Sequence, residues 1–480
     1  MNGVRAIAAV VAACALAGCA ALGGRGAGGA RPAWELPPPA VIEAPVVQPG
    51  RLHRAQLENG LHVLSLEDRR LPRAVLGMTF RRGEASVAPD RAGLASYTAE
   101  LMKRGAGPRD ALAFAEYVDE IGATLSVFAD WDSLSVVVMG LSRDLDRLFE
   151  ILADVVLAPR FEPAEAERAR GEKLAALERA VDQPETLADW FTYAAVYPGH
   201  RFGLPLEGRP ESVVVLDAEL ARAFHARVAR PNNAVLFASG DLSAEDLQAH
   251  ARRLFAGWRA GELPDAGGPP PALAPEARKI VIVNRPDLAQ ARISIAHEGI
   301  ARSAEDRIAA SLMNSVLGGG GFSSRLFSRL RAEEGLTYGV YSGFSLRRQP
   351  GPFFVSTFTR VSEVRHALDL LLAELERMRA EPPSEAEIAW AKTLSVGSFS
   401  MNLETSDAVM DGLVDLDVHG LPEDSLDTYR ARVRATTAAE IERAAREHLH
   451  PARAAIVLVG PAETLAPQVR DLGPVEIVEP

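Results

Sequence analysis

The feature that most limits the fold of this chain is that its second half repeats its first. Pro231-Asn232-Asn233-Ala234-Val235-Leu236, running on to Gly240, returns as Pro451-Ala452-Arg453-Ala454-Ala455-Ile456, running on to Gly460, an offset of 220 residues. Pro163-Ala164-Glu165-Ala166-Glu167 returns as Pro383-Ser384-Glu385-Ala386-Glu387 at the same offset, and Asp90-Arg91 returns as Asp306-Arg307 at 216. Three matches, in order and at nearly one spacing, imply a single structural unit used twice. The 480 residues are also too many for one ordinary domain, for which roughly 100–200 residues is usual.

In the first copy the apolar pattern alternates over His53–Leu57 and Leu61–Leu66, two strands around the hairpin signal Glu58-Asn59-Gly60, with a third strand at Ala74–Phe80. Helical spacing follows over Ala92–Lys103 and Ala111–Ile121, then strands over Thr124–Phe128 and Ser133–Met139. Helices over Asp144–Leu157 and Pro163–Val181 and a strand over Ala234–Ser239 complete the unit. This order predicts an α+β fold of two homologous domains, each a mostly antiparallel sheet with helices packed on it. The boundaries read as 51–260 for the first domain, 261–277 for a proline-rich linker and 278–474 for the second. Apolar residues at 48% and charged residues at 24% supply material for two folded cores. A net charge of −12 argues against nucleic acid as a partner.

The N-terminus has a different texture. Arg5 precedes an apolar run from Ala6 to Ala17, too short to span a bilayer comfortably and shaped like the centre of a signal peptide. It ends in Leu16-Ala17-Gly18-Cys19, which resembles the lipobox of bacterial lipoproteins. That resemblance implies a signal over 1–18, lipidation of Cys19 and a Gly- and Pro-rich tether over 19–50 reaching on the order of 30 Å. It also implies a periplasmic protein held at a membrane through this lipid anchor only. Ala20, in place of an Asp after the cysteine, points to the outer membrane. The plainer reading is a secretory signal cut after Ala20 or Ala21. The other cysteine, Cys14, lies inside the signal, so the folded body has no disulfide, zinc thiolate or cysteine nucleophile.

Near the start of the first unit stands Gly93-Leu94-Ala95-Ser96-Tyr97-Thr98-Ala99-Glu100-Leu101-Met102-Lys103-Arg104-Gly105. A duplicated α+β unit of this size carrying that segment resembles the pitrilysin/insulinase-type zinc peptidases, the inverzincins, over residues 51–470. In active members the resemblance implies His-x-x-Glu-His on one helical face, with two imidazoles on zinc and the glutamate taking a proton from metal-bound water. The matching positions here are Ser96, Ala99 and Glu100, and the third ligand, a glutamate from a later helix, falls by count on Ala176. A zinc site needs three or four protein ligands. The resemblance therefore implies no metal and no cofactor in this chain, with a site rebuilt around Glu100 and Glu172 as the competing possibility. The ten histidines include no His-x-x-x-His pair. His448 and His450 end a predicted helix, where histidines complement the C-terminal dipole, and His297-Glu298 has no second ligand nearby in sequence.

The second unit carries Gly318, Gly319, Gly320 and Gly321 in a run that opens onto a helix. A phosphate loop is excluded because the Gly-Lys-Ser/Thr ending is missing. That helix continues to Arg331, with Tyr338 seven residues on. Taken alone, Arg331 reads as a surface helix residue and Tyr338 as a strand residue packed at its rim. The resemblance gives them another role, a donor pair that holds a substrate carbonyl and stabilises an oxyanion, with the glycine run as chamber loop. In some relatives the active site is split between two chains. This chain then corresponds to the subunit without zinc, completing a heterodimeric endopeptidase for peptides or unfolded polypeptides with a zinc-bearing homologue as partner. The alternative is a non-catalytic peptide-binding or scaffold protein of the same fold.

Overall fold

The structure, a computed structural model, describes residues 44–48, 50–263, 265 and 278–480. The expected signal, Cys19, nearly all of the tether and most of the linker lie outside the described residues. The first half forms β1 (Leu52–Gln56), β2 (His62–Glu67), β3 (Arg73–Phe80), β4 (Thr124–Ala129), β5 (Leu134–Leu141) and β6 (Ala234–Gly240), ordered β1-β2-β6-β3-β5-β4. Its helices that matter here are α1 (Leu94–Met102), α2 (Leu145–Leu157), α3 (Pro163–Ala180) and α4 (Pro184–Val196). The second half repeats them as β7 (Lys279–Asn284), β8 (Gln290–Glu298), β9 (Val340–Phe344), β10 (Pro352–Arg360) and β11 (Ala455–Gly460). Its edge strand is β12 (Val475–Val478), and the order is β12-β7-β11-β8-β10-β9. The matching helices are α5 (Arg307–Asn314), α6 (Val364–Ala380), α7 (Glu385–Asn402) and α8 (Ser406–His419).

The duplication extends to strand register. Val235 stands opposite Thr79, and Ala455 opposite Ala296; Thr79 stands opposite Ser135, and Ala296 opposite Phe354. The equivalent residues are thus 220, 217 and 219 positions apart (455−235, 296−79, 354−135), the spacing seen in the sequence repeat. Each sheet is mostly antiparallel, with parallel pairing only of β2 to β6, β7 to β11 and β12 to β7. The edges differ. β1 reaches β2 through the Asn59-Gly60 hairpin and runs antiparallel, whereas β12 comes from the C-terminus and runs parallel to β7.

The strand residues of period two show what lies on each face. In β6, Leu236 and Ala238 join the first half's own core, while Val235 and Phe237 face away onto Val409, Met410, Leu413 and Val414 of α8. In the second half Val281, Val283, Val457 and Val459 face Leu187 and Ala188 of α4. Each half therefore lends one helix, α4 or α8, to cover the other half's sheet. Fully burying each of these side chains is worth about 1.5–3 kcal/mol, which is why Pro45–Pro480 forms one compact unit.

Polar contacts reinforce the exchange. Asp417 of α8 accepts from Arg81 Nε at 2.6 Å and lies 2.8 Å from His62 Nδ1. Asp407 accepts from Ser239 Oγ at 2.6 Å and pairs with Arg73. His419 ends α8 between Asp132 (3.3 Å) and Asp415 (3.0 Å). Burial alone would lower its pKa, but the two carboxylates outweigh burial and raise it to about 9. Arg347 of the second half is buried against Trp131 and Phe202 of the first, 4.0 and 4.5 Å from their ring centres.

Candidate functional site

The start of α1 is fixed before any chemistry is possible. Glu84, fully buried, accepts from the backbone N–H of Gly93 (2.6 Å) and Ala95 (2.9 Å), and Arg201 Nη2 binds the same carboxylate at 2.7 Å. A carboxylate on the free amides of a helix N-terminus satisfies donors that have no partner within the helix. Tyr97 donates to the Ala166 carbonyl at 2.7 Å and so ties α1 to α3. Leu94, Ala95, Leu101 and Met102 turn into the core. This orientation presents Ser96, Ala99 and Glu100 together to a cavity of about 380 Å³. Edge strand β4 contributes Val127, Phe128 and Ala129, α3 contributes Ala169, Glu172 and Lys173, and Glu207 completes the wall. The counted position, Ala176, is exposed and does not line the cavity; Glu172 and Lys173, one turn earlier on α3, face α1 instead.

The charged groups around the cavity are paired with one another. Arg104, one turn beyond Glu100, donates to Glu100 Oε1 from Nε (3.0 Å) and Nη2 (2.7 Å), and from Nη2 to Glu172 Oε2 (2.5 Å). Its Nη1 lies 3.5 Å from Glu165. Lys103 Nζ holds the other oxygen of Glu100 at 2.7 Å. Lys173 Nζ donates to Ser96 Oγ at 2.9 Å and pairs with Glu207. Burial pushes Glu100 up, but Lys103 and Arg104 outweigh it and hold the carboxyl below its ordinary value. Burial pushes Arg104 down, yet Glu172 and Glu100 hold it above its ordinary value.

These residues do not fit zinc. The motif positions offer a hydroxyl, a methyl and one carboxylate, and that carboxylate is already neutralised by a guanidinium and an ammonium. A site rebuilt around Glu100 and Glu172 fails for the same reason, since Arg104 lies between them.

In the second half the structure brings Arg331 and Tyr338 together. Arg331 Nη1 donates to the Tyr338 carbonyl at 2.9 Å, and its guanidinium lies 4.3 Å from the Tyr338 ring centre and 4.9 Å from that of Phe327. Tyr338 and Phe322 are both 75% exposed, so the pair opens to solvent. The helix expected to run on to Arg331 is present without a break, but its pitch widens along the way. Only Arg325–Phe327 is α-helical, and Arg331 sits on a wider π turn, Ser328–Glu333. Leu336 N–H closes that turn onto the Leu330 carbonyl at 2.9 Å. Such turns recur at functional sites because the extra residue re-aims the side chains around it.

The glycine run begins inside a second π turn, Ser315–Gly319, and its first three glycines are packed tightly. A Cβ at Gly320 would lie 2.2 Å from the Trp390 indole of α7, and Gly321 adopts φ +67°. No hydrogen bond or ion pair joins Arg331 or Tyr338 to Ser96, Glu100 or Lys173 among the described residues.

The histidines singled out in the second half, His297, His448 and His450, are engaged. His297, thought isolated, meets His450: its Nε2 accepts from the His450 N–H (3.1 Å) while Nδ1 donates to the Glu298 carbonyl (2.7 Å). Both ring nitrogens are used, and burial lowers its pKa to about 3. His448 is hydrogen-bonded to Asp306 at 2.6 Å. With Glu447 these form the one His/Asp/Glu group among the described residues whose ligand atoms lie within 4.8 Å of each other.

Comparison with known proteins places these features. Residues 62–209, containing α1 and its cavity, match the family description "Insulinase (Peptidase family M16)". Residues 216–394, containing the glycine run, Arg331 and Tyr338, match "Peptidase M16 inactive domain". The chain belongs to the insulinase-like M16 peptidase family. Among its M16 relatives, an uncharacterized zinc protease of Streptomyces coelicolor is 26% identical over 420 residues, covering 86% of this chain and 90% of that protein. One from Mycobacterium tuberculosis is 28% identical over 410 residues, covering 85% and 93%. A solved structure described as a peptidase M16 inactive domain from Pseudomonas fluorescens superposes with TM-score 0.79 at 28% identity, over 85% of this chain and 98% of that one. A protease from Helicobacter pylori shares the fold, with TM-score 0.78 at 17% identity and coverage of 85% and 99%.

Sequence reasoning missed Arg104, Glu165 and Glu207 as parts of the first site. Arg104 had a signal, since its i+4 position from Glu100 is ion-pair spacing. Glu207 had none, because it comes from a loop outside the helices that carry the motif.

Proposed function

We propose that this chain is the non-zinc subunit of a heterodimeric zinc endopeptidase that acts on peptides or unfolded polypeptides. A homologous partner supplies the metal. The observation that carries this reading is the contrast between the halves: the charged groups of the α1 cavity are paired with one another, whereas Arg331 is held ready with Tyr338 at an open surface. One guanidinium nitrogen of Arg331 is spent on the Tyr338 carbonyl, which fixes its plane. The remaining N–H groups and the Tyr338 hydroxyl are free to bind a substrate carbonyl and the oxyanion that develops from it. The loop Gly318–Gly321 forms chamber wall beside them. Membership of the M16 family and likeness to an M16 inactive domain support the reading. Lipidation at Cys19 would hold the chain on the periplasmic side of a membrane, at the outer membrane on the sequence signal, with no membrane contact besides.

The test is reconstitution. The purified chain is mixed with an M16 homologue from the same organism that retains His-x-x-Glu-His, and cleavage of an unfolded peptide is followed. Activity is expected only in the mixture, with Arg331→Ala and Tyr338→Phe each lowering it by about 100-fold or more. If cleavage is unchanged by both substitutions, the donor role is wrong. If the mixture is no more active than the homologue alone, the scaffold reading takes its place.

A further inference from the structure

We propose that Arg104 and Lys173 are built-in replacements for the metal: their fixed charges clamp α1 to α3 across the cavity and bar divalent cations from it. Zinc in such a site would draw two elements together through shared ligands. Here Arg104 does so by bridging Glu100 of α1 to Glu165 and Glu172 of α3. Lys173 reaches back from α3 to Ser96, the position matching the first histidine, while pairing with Glu207. Both cationic side chains are largely buried, 16% and 13% exposed. A cation entering the cavity would have to displace these ion pairs and would then face two unpaired positive charges in a partly desolvated space. A serine nucleophile with a lysine base is the competing use of Ser96 and Lys173. It is disfavoured because Lys173, paired to Glu207, donates to Ser96 while the Ser96 hydroxyl donates to the Gly93 carbonyl at 3.0 Å.

The consequence is that restoring ligands alone does not restore metal binding. The inference rests on the reading that this cavity holds no zinc and is independent of any partner chain. It is therefore tested on the isolated protein by metal analysis and thermal unfolding, without peptidase activity.

The variant S96H/E100H, dialysed against zinc, is expected to retain none in stoichiometric amount. The same variant with R104M/K173M added is expected to hold about one zinc per chain and to melt higher with zinc than without. Arg104→Met alone should lower the melting temperature by on the order of 5 °C, because it leaves carboxylates unneutralised. Adding E100Q/E172Q should recover much of that loss. Stoichiometric zinc in S96H/E100H overturns the proposal. So does a folded four-substitution variant that binds none, or an Arg104→Met loss that the two glutamines leave unchanged.

Discussion

The two halves of this M16 chain share strand order, register and helix sequence, yet the surfaces that carry their candidate site residues have opposite characters. In the first half the helix that follows the third strand faces a cavity whose carboxylates Glu100, Glu172 and Glu207 are paired with Arg104, Lys103 and Lys173. In the second, the region beyond the equivalent helix displays Arg331 among Phe327, Tyr338 and Phe322 with little else around it. The contrast teaches that a half can lose its chemistry without losing its place. The first sheet's outer face is the packing surface for α8, and α4 packs on the second sheet, so each half buries part of the other's apolar surface. The cavity-facing residues hold α1 to α3 within the first half and take no part in joining the two halves.

The sharpest way to break the comparison is to remove one residue from each surface. In the reconstituted enzyme, Arg331→Ala should lower kcat/KM by about 100-fold or more, whereas Ser96→Ala should leave it within about twofold. Comparable losses from both would mean that the first cavity also takes part in the reaction.

A smaller but still large effect concerns the exchanged helices. Leu413→Ala in α8 and Leu187→Ala in α4 should each cost about 2–5 kcal/mol, because both side chains are buried against the opposite half's sheet. Calorimetry should show one transition in each variant, moved to lower temperature. Two separate transitions would show that the halves unfold independently.

The polar lock gives a pH signature. The raised pKa of His419 means that its contribution is complete below its ordinary value of 6.5 and is lost as the pH rises through about 9. Asp415, where burial pushes up but His419 and Arg302 pull further down to about 2, contributes above 3.8 and loses its share as the pH falls toward 2. Urea midpoints should therefore decline on the alkaline side between those histidine values, and Asp132→Asn should flatten that decline. A decline of equal size in the variant would remove His419 as its source.

The least disruptive test compares neighbouring glycines. Gly320→Ala must push its methyl into the rigid Trp390 indole and should cost about 1–3 kcal/mol. Gly321→Ala meets open space and should cost about 1–2 kcal/mol, for its left-handed backbone alone. A stability loss at Gly321 larger than that at Gly320 would contradict the packing described.

Much of this was legible in the chain itself. Alternation around the Asn59-Gly60 turn and short apolar runs beyond it placed the strands of the first half to within a residue or two. The 216–220 offset announced the repeated sheet, and the i, i+3, i+4 spacing put Ser96, Ala99 and Glu100 on one face. The spacing of Arg331 and Tyr338 was visible too, although the π turn that sets their angle was not. The counted position, Ala176, points to solvent while Glu172 and Lys173 line the cavity, because a residue count does not say which side of α3 faces α1.

What the sequence determined by itself is what depends on neighbours along the chain: periodicity, turn residues, the repeat and the absence of two imidazoles. What only the tertiary structure decided is what forms through space. The continuous apolar runs of β6 and β11 announce burial on both faces, but not that the cover comes from the other half. Likewise Arg104 and Glu172 are 68 residues apart and Lys173 and Ser96 are 77 apart, and no local pattern links them. Whether a lone carboxylate is a vacant ligand or one end of a salt bridge depends on which cation the fold carries to within a few ångströms, because charge interactions fall off with distance in space and not along the chain.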